Sequence, residues 1–420
     1  MLDFGDLLKK EPKEARGSST SKNALDTIQF YRSNELRVLI EETFRFDGYE
    51  PPLAQPYKFK DVAVQVEENK AQLAVIDLLG CPDTLKECRQ LSARLPTSLS
   101  IIIIGNVDSI SVVRELKSLG FYYLLWPVDK ADLAEFVQSV VSRHIETSSL
   151  KNRRRAKRVG IVGTRGGVGA SLLTAELSWV LTNDKQTSCM VVDHNYLSGN
   201  LDLLLGLKNP DKRRLTDTEI GTELDHTSAK SLVTRISNRL DYLALGLNNQ
   251  SSSHLFETNG LVVSYLTSET NFILDDLSSS VSFDVQPHTL HQMLDVAIIV
   301  MEPTISCLRE TSAMLNKLAK QIQEADRPKI FRTLIVLNQH RAPRFTSVTQ
   351  AEIEKYLNRP VDIVLPYETK LEEFLVSGTN AGSTKSKFAG EVRRLCSLII
   401  GEDLAPKRKS LFSFSRFRGK

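Results

Sequence analysis

The chain of 420 residues is longer than a single hydrophobic core usually supports, so its length predicts two domains. Apolar residues make up 41% and charged residues 25%, as in globular proteins, and a net charge of +3 is too small to indicate nucleic-acid binding by itself. The N-terminus lacks the apolar core of a signal peptide and no apolar run approaches the roughly 20 residues needed to cross a bilayer, so we expect a cytoplasmic protein.

Residues 1–23 are polar and rich in Lys, Glu and Ser, a composition that predicts a disordered arm. Residues 24–146 alternate short apolar runs with amphipathic segments, which predicts an α/β domain with three layers. The strand candidates are TIQFY, QLAVIDLLG, LSIIIIGNV and YYLLWP. The helix candidates are ELRVLIEETFRF, DSISVVRELKSLG and DKADLAEFVQSVVSRHI.

A basic stretch over residues 147–157 predicts a linker to a second α/β domain, residues 158–403. The strand candidates of that domain are RVGIVGT, SCMVVDHN, LDYLALG, NFILDDL, VAIIVM, TLIVLNQ and VDIVLP. Strands that alternate with crossover helices predict a doubly wound, mostly parallel sheet, which binds ligands at the carboxyl ends of its strands.

The tail, residues 404–420, interleaves Leu and Phe with Lys and Arg and contains no acidic residue. Two interpretations stay open for it. One is a solvated disordered tail; the other is an amphipathic segment that makes reversible peripheral contact with an anionic membrane. Nucleic-acid binding is not expected of it, because the segment is short.

A glycine-rich loop follows the first strand of the second domain and opens a helix, which is the context that a phosphate-binding loop requires. Its residues are Thr164, Arg165, Gly166, Gly167, Val168, Gly169, Ala170 and Ser171. Glycine backbone N–H groups and the helix N-terminus favour phosphate, and the Ser171 hydroxyl stands where Mg²⁺ would bind. Alone, the pattern fits a plain glycine turn equally well.

Polar side chains at the ends of other strands favour the phosphate-binding interpretation. Asp193 ends one strand, and Asp275 and Asp276 lie at the end of another. With Ser171, Asp193 and Asp276 form the predicted magnesium site, whereas Asp275 could be a purely structural residue. Asn338 ends a further strand and could read a purine edge with its amide. ATP or ADP with Mg²⁺ is therefore the predicted cofactor.

In element order and size, residues 24–146 resemble the receiver domain of response regulators, a flavodoxin-like fold. Asp77 falls where the phosphoacceptor aspartate would stand. Residues 31–33, Tyr-Arg-Ser, lack the acidic pair of a working receiver, and Trp126 precedes the proline where a lysine would be. Without those carboxylates Mg²⁺ lacks ligands. The resemblance therefore implies a degenerate receiver used for interaction or dimerisation, with Asp77 ending a strand.

The loop RGGVGAS is similar to the deviant Walker A motif, KGGxGK followed by Ser or Thr, of the MinD/ParA family of P-loop proteins. The stretch VVDHNYLSGNLDLLLGL resembles the second motif of that family, and FILDDLS resembles its Walker B motif. The match continues to LNRPVDIVLPY, and it implies a nucleotide contact at Pro366. Behind a degenerate receiver, this loop most resembles the TadZ/CpaE family of Flp (tight-adherence) type IV pilus assembly proteins.

Three departures from the MinD/ParA pattern bear on mechanism. Arg165 replaces the signature lysine and keeps its charge. Ala170 replaces the lysine inside the loop, and Asn195 replaces the second carboxylate of an Asp-x-Asp pair. Asp193 and Asn195 stay candidate water and magnesium positions, and no catalytic residue is assigned. Loss of the lysine and of the carboxylate predicts nucleotide binding with weak or absent hydrolysis.

The resemblance to TadZ/CpaE implies a nucleotide-binding scaffold that localises the pilus-assembly machinery at a cell pole, peripheral to the inner membrane. It also implies a homodimer, with the pilus-assembly ATPase and other pilus components as partners. Two alternatives stay open. One is an active ParA/MinD-like ATPase that positions cargo or DNA, and the other is a response regulator with an ATPase output domain.

Overall fold

The structure is a computed structural model that describes residues 25–146, 154–197, 199–207, 212–214, 224–246, 251–278, 286–324, 331–342 and 346–402. The predicted arm, the predicted tail and residues 147–153 of the predicted linker lie outside the described residues. The chain falls into two compact units, Met1–Thr84 with Leu99–Arg153, and Leu85–Ser98 with Arg154–Lys420. Within the second unit, Arg154 and Asn271 donate hydrogen bonds to the carbonyl oxygen of Leu95.

The first sheet has five parallel strands. The strands are β1 (Thr27–Tyr31), β2 (Leu53–Pro56), β3 (Leu73–Asp77), β4 (Ser100–Gly105) and β5 (Tyr122–Leu125). The helices along this part of the chain are α1 (Asn34–Phe46), α2 (Phe59–Glu68), α3 (Thr84–Arg94), α4 (Ile110–Ser118) and α5 (Lys130–Glu146). The strand order β2-β1-β3-β4-β5 is that of flavodoxin-like doubly wound sheets. The sequence did not predict β2, α2 and α3.

Asp77, at the carboxyl end of β3, is almost completely buried and ties two connections of the first unit together. Its Oδ2 accepts hydrogen bonds from the backbone N–H groups of Arg32 and Ser33, both at 2.8 Å. Its Oδ1 accepts a third from the N–H of Leu79 at 2.9 Å. Since both oxygens are used by backbone donors, this carboxylate fixes the turn between β1 and α1 to the end of β3.

Replacing Asp77 by Ala is expected to destabilise the first unit by roughly 2–4 kcal/mol, because three backbone donors lose their acceptor. Denaturant unfolding followed by circular dichroism measures this, with the exposed Asp61→Ala on α2 as a control that should change stability by less than about 0.5 kcal/mol. Unchanged stability in Asp77→Ala, or phosphorylation of Asp77 by acetyl phosphate, would contradict the structural role.

In the described part of the chain the second sheet has nine strands, and every pairing there is parallel except one. The strands are β6 (Lys157–Gly163), β7 (Cys189–Asp193), β8 (Arg213–Arg214), β9 (Thr234–Ser237), β10 (Leu240–Gly246), β11 (Phe272–Leu277), β12 (Val296–Met301), β13 (Arg332–Asn338) and β14 (Ile363–Leu365). Their order is β14-β13-β12-β6-β11-β7-β10-β8, with β9 antiparallel to β10. The predicted doubly wound, mostly parallel sheet is confirmed. The short β8 and β9 were not predicted.

Beyond α3, the helices of the second unit lie between successive strands, except for the last two, which follow β14. They are α6 (Ala170–Trp179), α7 (Leu201–Leu204), α8 (His226–Ser231), α9 (Ser252–Leu266), α10 (Pro287–Met293), α11 (Ile305–Glu324), α12 (Gln350–Leu357), α13 (Leu371–Val376) and α14 (Lys387–Ile400). Among the described residues, none of the helices combines the length and the apolar character needed to cross a membrane.

Strand order places a ligand site beside β6. The chain lays β7, β10 and β11 on one side of β6 and then crosses to β12, β13 and β14 on the other side. At such a reversal the neighbouring connections diverge and leave a crevice at the carboxyl ends of the strands. The glycine-rich loop leaves β6 at this point and leads into α6, of whose ten residues seven are buried.

Candidate nucleotide site

The glycine-rich loop between β6 and α6 has a backbone that only glycine adopts without strain. Gly167 has φ +82° and Gly169 has φ +91°, both in the left-handed region. A Cβ at Gly169 would lie 2.5 Å from Nδ2 of Asn338, so a larger residue is excluded by contact as well. Gly166 and Gly167 are exposed, which leaves the crest of the loop accessible to a ligand.

Residues near the carboxyl ends of β12 and β13 form hydrogen bonds with the loop. The Nδ2 of Asn338, a buried residue at the end of β13, donates a hydrogen bond to the carbonyl oxygen of Val168 at 2.9 Å. The backbone N–H and the hydroxyl of Thr164 both donate to the carbonyl oxygen of Val300, each at 3.1 Å. The structure thus gives Asn338 a partner inside the loop, and its reading of a purine edge stays a prediction.

The two positions that depart from the lysine pattern differ in their surroundings. Ala170 is only 4% exposed and belongs to the hydrophobic core of the second unit. Its Cβ lies 3.4 Å from where a Cβ on Gly163 would stand, so this part of the loop is closely packed. Arg165 is exposed and makes no ion pair with any described residue. Its charge is therefore available to a ligand or to a second chain.

Asp193 and Asp276 lie opposite each other on the neighbouring strands β7 and β11, at the edge of the sheet where the loop leaves β6. They are register partners of β7 and β11, and both are buried. Burial, and then the nearby Asp193 carboxylate, raise the pKa of Asp276 to about 7, against a smaller opposing effect of a hydrogen bond with Ser171. The Oδ1 of Asp276 accepts from the N–H of Ser278 at 3.2 Å, whereas its buried Oδ2 has no hydrogen-bond partner among the described residues.

Asp193 has partners on both oxygens. Its Oδ1 accepts from the backbone N–H of Asn195 at 2.8 Å. Its Oδ2 accepts from the hydroxyl of Tyr242 at 3.1 Å and lies 2.8 Å from the ammonium of Lys212, which also donates to the carbonyl oxygen of Asn195. The sequence analysis missed Lys212 and Tyr242, because no local pattern marks a lysine next to β8 or a tyrosine within β10 as neighbours of Asp193.

These surroundings fit a magnesium ion held mainly by phosphate and water. Mg²⁺ in phosphate sites takes a few protein oxygens and keeps several waters. The unpartnered Oδ2 of Asp276 and the hydroxyl of Ser171 are such oxygens, and they lie beside each other. The predicted third ligand, Asp193, carries the ammonium of Lys212 instead. Ser171 and Asp276 are therefore the residues that would hold the ion.

Asp275 belongs to a separate ion pair on the opposite face of β11. Its carboxylate accepts two hydrogen bonds from the Arg158 guanidinium, at 2.7 and 2.8 Å, and contacts Nε2 of His194 at 2.8 Å. Burial alone would raise its pKa, but the charge and hydrogen bonds of Arg158, with His194, lower it to about 2. The structure gives Asp275 a structural role and leaves Asp276 as the carboxylate near the loop.

Pro366 follows β14 at the same edge of the sheet and is half-buried. The N–H of Gln339 donates to the carbonyl oxygen of Leu365 at 2.9 Å, which ties the ends of β13 and β14 together there. The contact of Pro366 with a nucleotide stays a prediction.

No protein-family model matches the chain, and no curated protein matches it. Several solved structures, by contrast, match the chain. A ParA family ATPase from Chlorobium tepidum is 25% identical, with a TM-score of 0.46 over 58% of this chain and 98% of the other. The septum site-determining protein MinD from Pyrococcus horikoshii, complexed with Mg-ADP, is 21% identical, with a TM-score of 0.46 over 58% and 96%. The MinC:MinD complex of Aquifex aeolicus gives 19% identity and a TM-score of 0.48 over 60% and 99%.

Proposed function

We propose that the second unit binds ATP or ADP with Mg²⁺ at the glycine-rich loop. The proposal is carried by the buried Oδ2 of Asp276, which has no hydrogen-bond partner in the described part of the chain and lies next to the Ser171 hydroxyl at the start of α6. A buried carboxylate oxygen without a donor is costly unless a ligand completes it. The exposed glycine crest above it offers backbone N–H groups to phosphate, and Mg²⁺ would supply the positive charge that Asp276 lacks.

Hydrolysis at this site is expected to be weak or absent. The position of the loop lysine is occupied by Ala170, which is packed in the core, so position 170 contributes no cation to the site. Asn195 cannot accept a proton from water as a carboxylate would, and Oδ1 of Asp193 already accepts a hydrogen bond from the backbone N–H of Asn195. Charge stabilisation in the transition state and polarisation of water are therefore both reduced.

At the level of the cell, the proposed role is a scaffold or localisation factor for Flp (tad) type IV pilus assembly. This rests on the resemblance of the loop and motifs to TadZ/CpaE, and on a flavodoxin-like first unit with Asp77 at a strand end. The homodimer, contact with the pilus-assembly ATPase and peripheral placement at a cell pole belong to the same proposal. Asp77 bound by three backbone donors disfavours the response-regulator alternative.

The nucleotide proposal is tested by binding and turnover measured on the same protein. A fluorescent ATP analogue is expected to bind to the protein in the presence of Mg²⁺. Release of phosphate is expected to be too slow to detect above background. Restoring both missing groups in Ala170→Lys/Asn195→Asp is expected to raise turnover by at least about tenfold, because one charge-assisted hydrogen bond contributes about 1.5–3 kcal/mol. The single Asn195→Asp variant is the matched control and should gain less.

Oligomeric state decides between a relic loop and a nucleotide-dependent dimer. Light scattering with Mg-ATP is expected to show a dimer for the wild-type protein and a monomer for Arg165→Ala, since Arg165 is exposed and makes no ion pair within the described part of the chain. Turnover by the wild-type protein at the rate of active ParA-like enzymes would instead favour the positioning ATPase. If the wild-type protein binds no nucleotide, the proposed function is wrong.

A further inference from the structure

Lys212 is a largely buried lysine that reaches the site from the edge of the sheet. Its side chain is 12% exposed, and its ammonium lies 2.8 Å from Oδ2 of Asp193. It immediately precedes β8, the outermost strand, which pairs with the carboxyl end of β10 at Leu245 and Gly246. The pairing of β8 with β10 therefore brings a lysine that is distant from the loop in sequence to the same edge of the sheet as the loop.

The backbone around Lys212 leaves room for its ammonium. A Cβ at Gly199 would lie 2.8 Å from Nζ of Lys212 and 2.9 Å from Oδ2 of Asp193. Any other residue at this position would press on both partners. The carbonyl oxygen of Asn195 accepts a further hydrogen bond from the same ammonium. The absence of a side chain at Gly199 thus leaves space for the Lys212 ammonium, and the carbonyl oxygen of Asn195 accepts a hydrogen bond from it.

The ammonium also lies close to where phosphates would bind. Asp193 and Asp276 are partners on adjacent strands, about 5 Å apart. Ser171, at the end of the loop, is close enough to Asp276 to lower its pKa, and the charge of Lys212 also lowers that pKa against the effect of burial. A four-carbon stem allows an ammonium to move by several ångströms without movement of the backbone.

We propose that Lys212 supplies, from the edge of the sheet, the positive charge to the terminal phosphates of the nucleotide that the loop lacks at Ala170. This inference rests on the proposed nucleotide binding. In the free protein the ammonium neutralises Asp193, and it contacts the phosphates when the nucleotide is bound. Because this lysine lies on a different element from the loop, it restores affinity without restoring the geometry that a loop lysine gives to hydrolysis.

The test measures the dissociation constant of N-methylanthraniloyl-ATP for the full chain in Mg²⁺. Lys212→Met is expected to weaken binding at least tenfold, and Lys212→Arg by less than about threefold, since the charge is kept. Arg213→Met is the matched control. It removes a neighbouring cation whose guanidinium bonds the carbonyl oxygen of Ser231, and it should bind like the wild-type protein.

A second pair of variants separates a phosphate contact from a mere counter-ion of Asp193. Asp193→Asn/Lys212→Met removes both charges of this buried pair, so it keeps the proposal testable if Lys212→Met alone does not fold. It is expected to bind the analogue at least tenfold more weakly than Asp193→Asn. Equal affinities of these two variants would overturn the inference and leave the proposed function intact. If the wild-type protein binds no analogue, the proposed function fails, and the inference fails with it.

Discussion

At about pH 8 and without Mg²⁺, the Asp276→Asn variant is expected to be more stable than the wild-type protein by roughly 1–4 kcal/mol. Burial and Asp193 raise the pKa of Asp276 from 3.8 to about 7, so the folded protein favours the neutral acid. From about pH 4 to pH 7 the folded state then binds more protons than the unfolded state, and wild-type stability falls as pH rises through that window. Asn removes this cost, because it carries no charge. Thermal unfolding at several pH values measures it.

The same substitution is expected to abolish the stabilisation that Mg²⁺ adds to nucleotide binding. In the wild-type protein that stabilisation should weaken by up to about tenfold in affinity for each pH unit below 7, because Mg²⁺ requires the ionised carboxylate. In Asp276→Asn it should be absent at every pH.

Asp241→Asn is the matched control for Asp276→Asn. Asp241 lies near the start of β10, at the other end of the sheet, and burial raises its pKa too. Its replacement should leave the response to Mg²⁺ unchanged. A wild-type response to Mg²⁺ in Asp276→Asn would show that this carboxylate is no ligand of the ion.

Arg158→Met is expected to destabilise the second unit by about 3–5 kcal/mol at neutral pH, because it leaves the fully buried Asp275 carboxylate without its cation. The pair stabilises the fold at any pH above the ordinary pKa of 3.8, and this contribution is lost as pH falls toward about 2. Denaturant unfolding at about pH 7 measures the loss.

A double variant shows whether the lost charge or the lost packing matters. Arg158→Met/Asp275→Leu removes both charges and is expected to regain most of the stability, as replaced buried ion pairs often do. Lys320→Met is the control, since it breaks an exposed pair with Glu324 and should cost less than about 1 kcal/mol. If Arg158→Met alone is as stable as the wild-type protein, Asp275 is not held by this pair.

The central strands of the second sheet could be predicted because they are continuous apolar runs buried on both faces, as in β12, whose six residues are all buried. The carboxyl ends of such strands meet at one edge, so Asp193, Asp276 and the loop could be placed together from sequence. β2 could not be predicted, because none of its four residues is fully buried and they lack any alternation.

The contacts that complete the site depend on strand order, which the sequence does not show. Asn338 reaches the loop only because β13 lies two strands from β6 in the sheet. Lys212 reaches Asp193 only because a strand of two residues pairs with β10. The role of Asp275 was likewise hidden, since its partner Arg158 stands in another strand, 117 positions away in the chain.

Asp275 and Asp276 are consecutive in β11, yet their pKa values are about 2 and about 7, because successive side chains of a strand point to opposite faces of the sheet. Because of this alternation, the number of residues in β11 constrains the position of the two carboxylates as strongly as the identity of those residues does. Deleting one residue such as Ile273 would exchange the faces on which the two carboxylates lie relative to the preceding part of the strand. Such a deletion would disturb the ion pair with Arg158 and the carboxylate beside Ser171 together, although it removes no side chain that either of them uses.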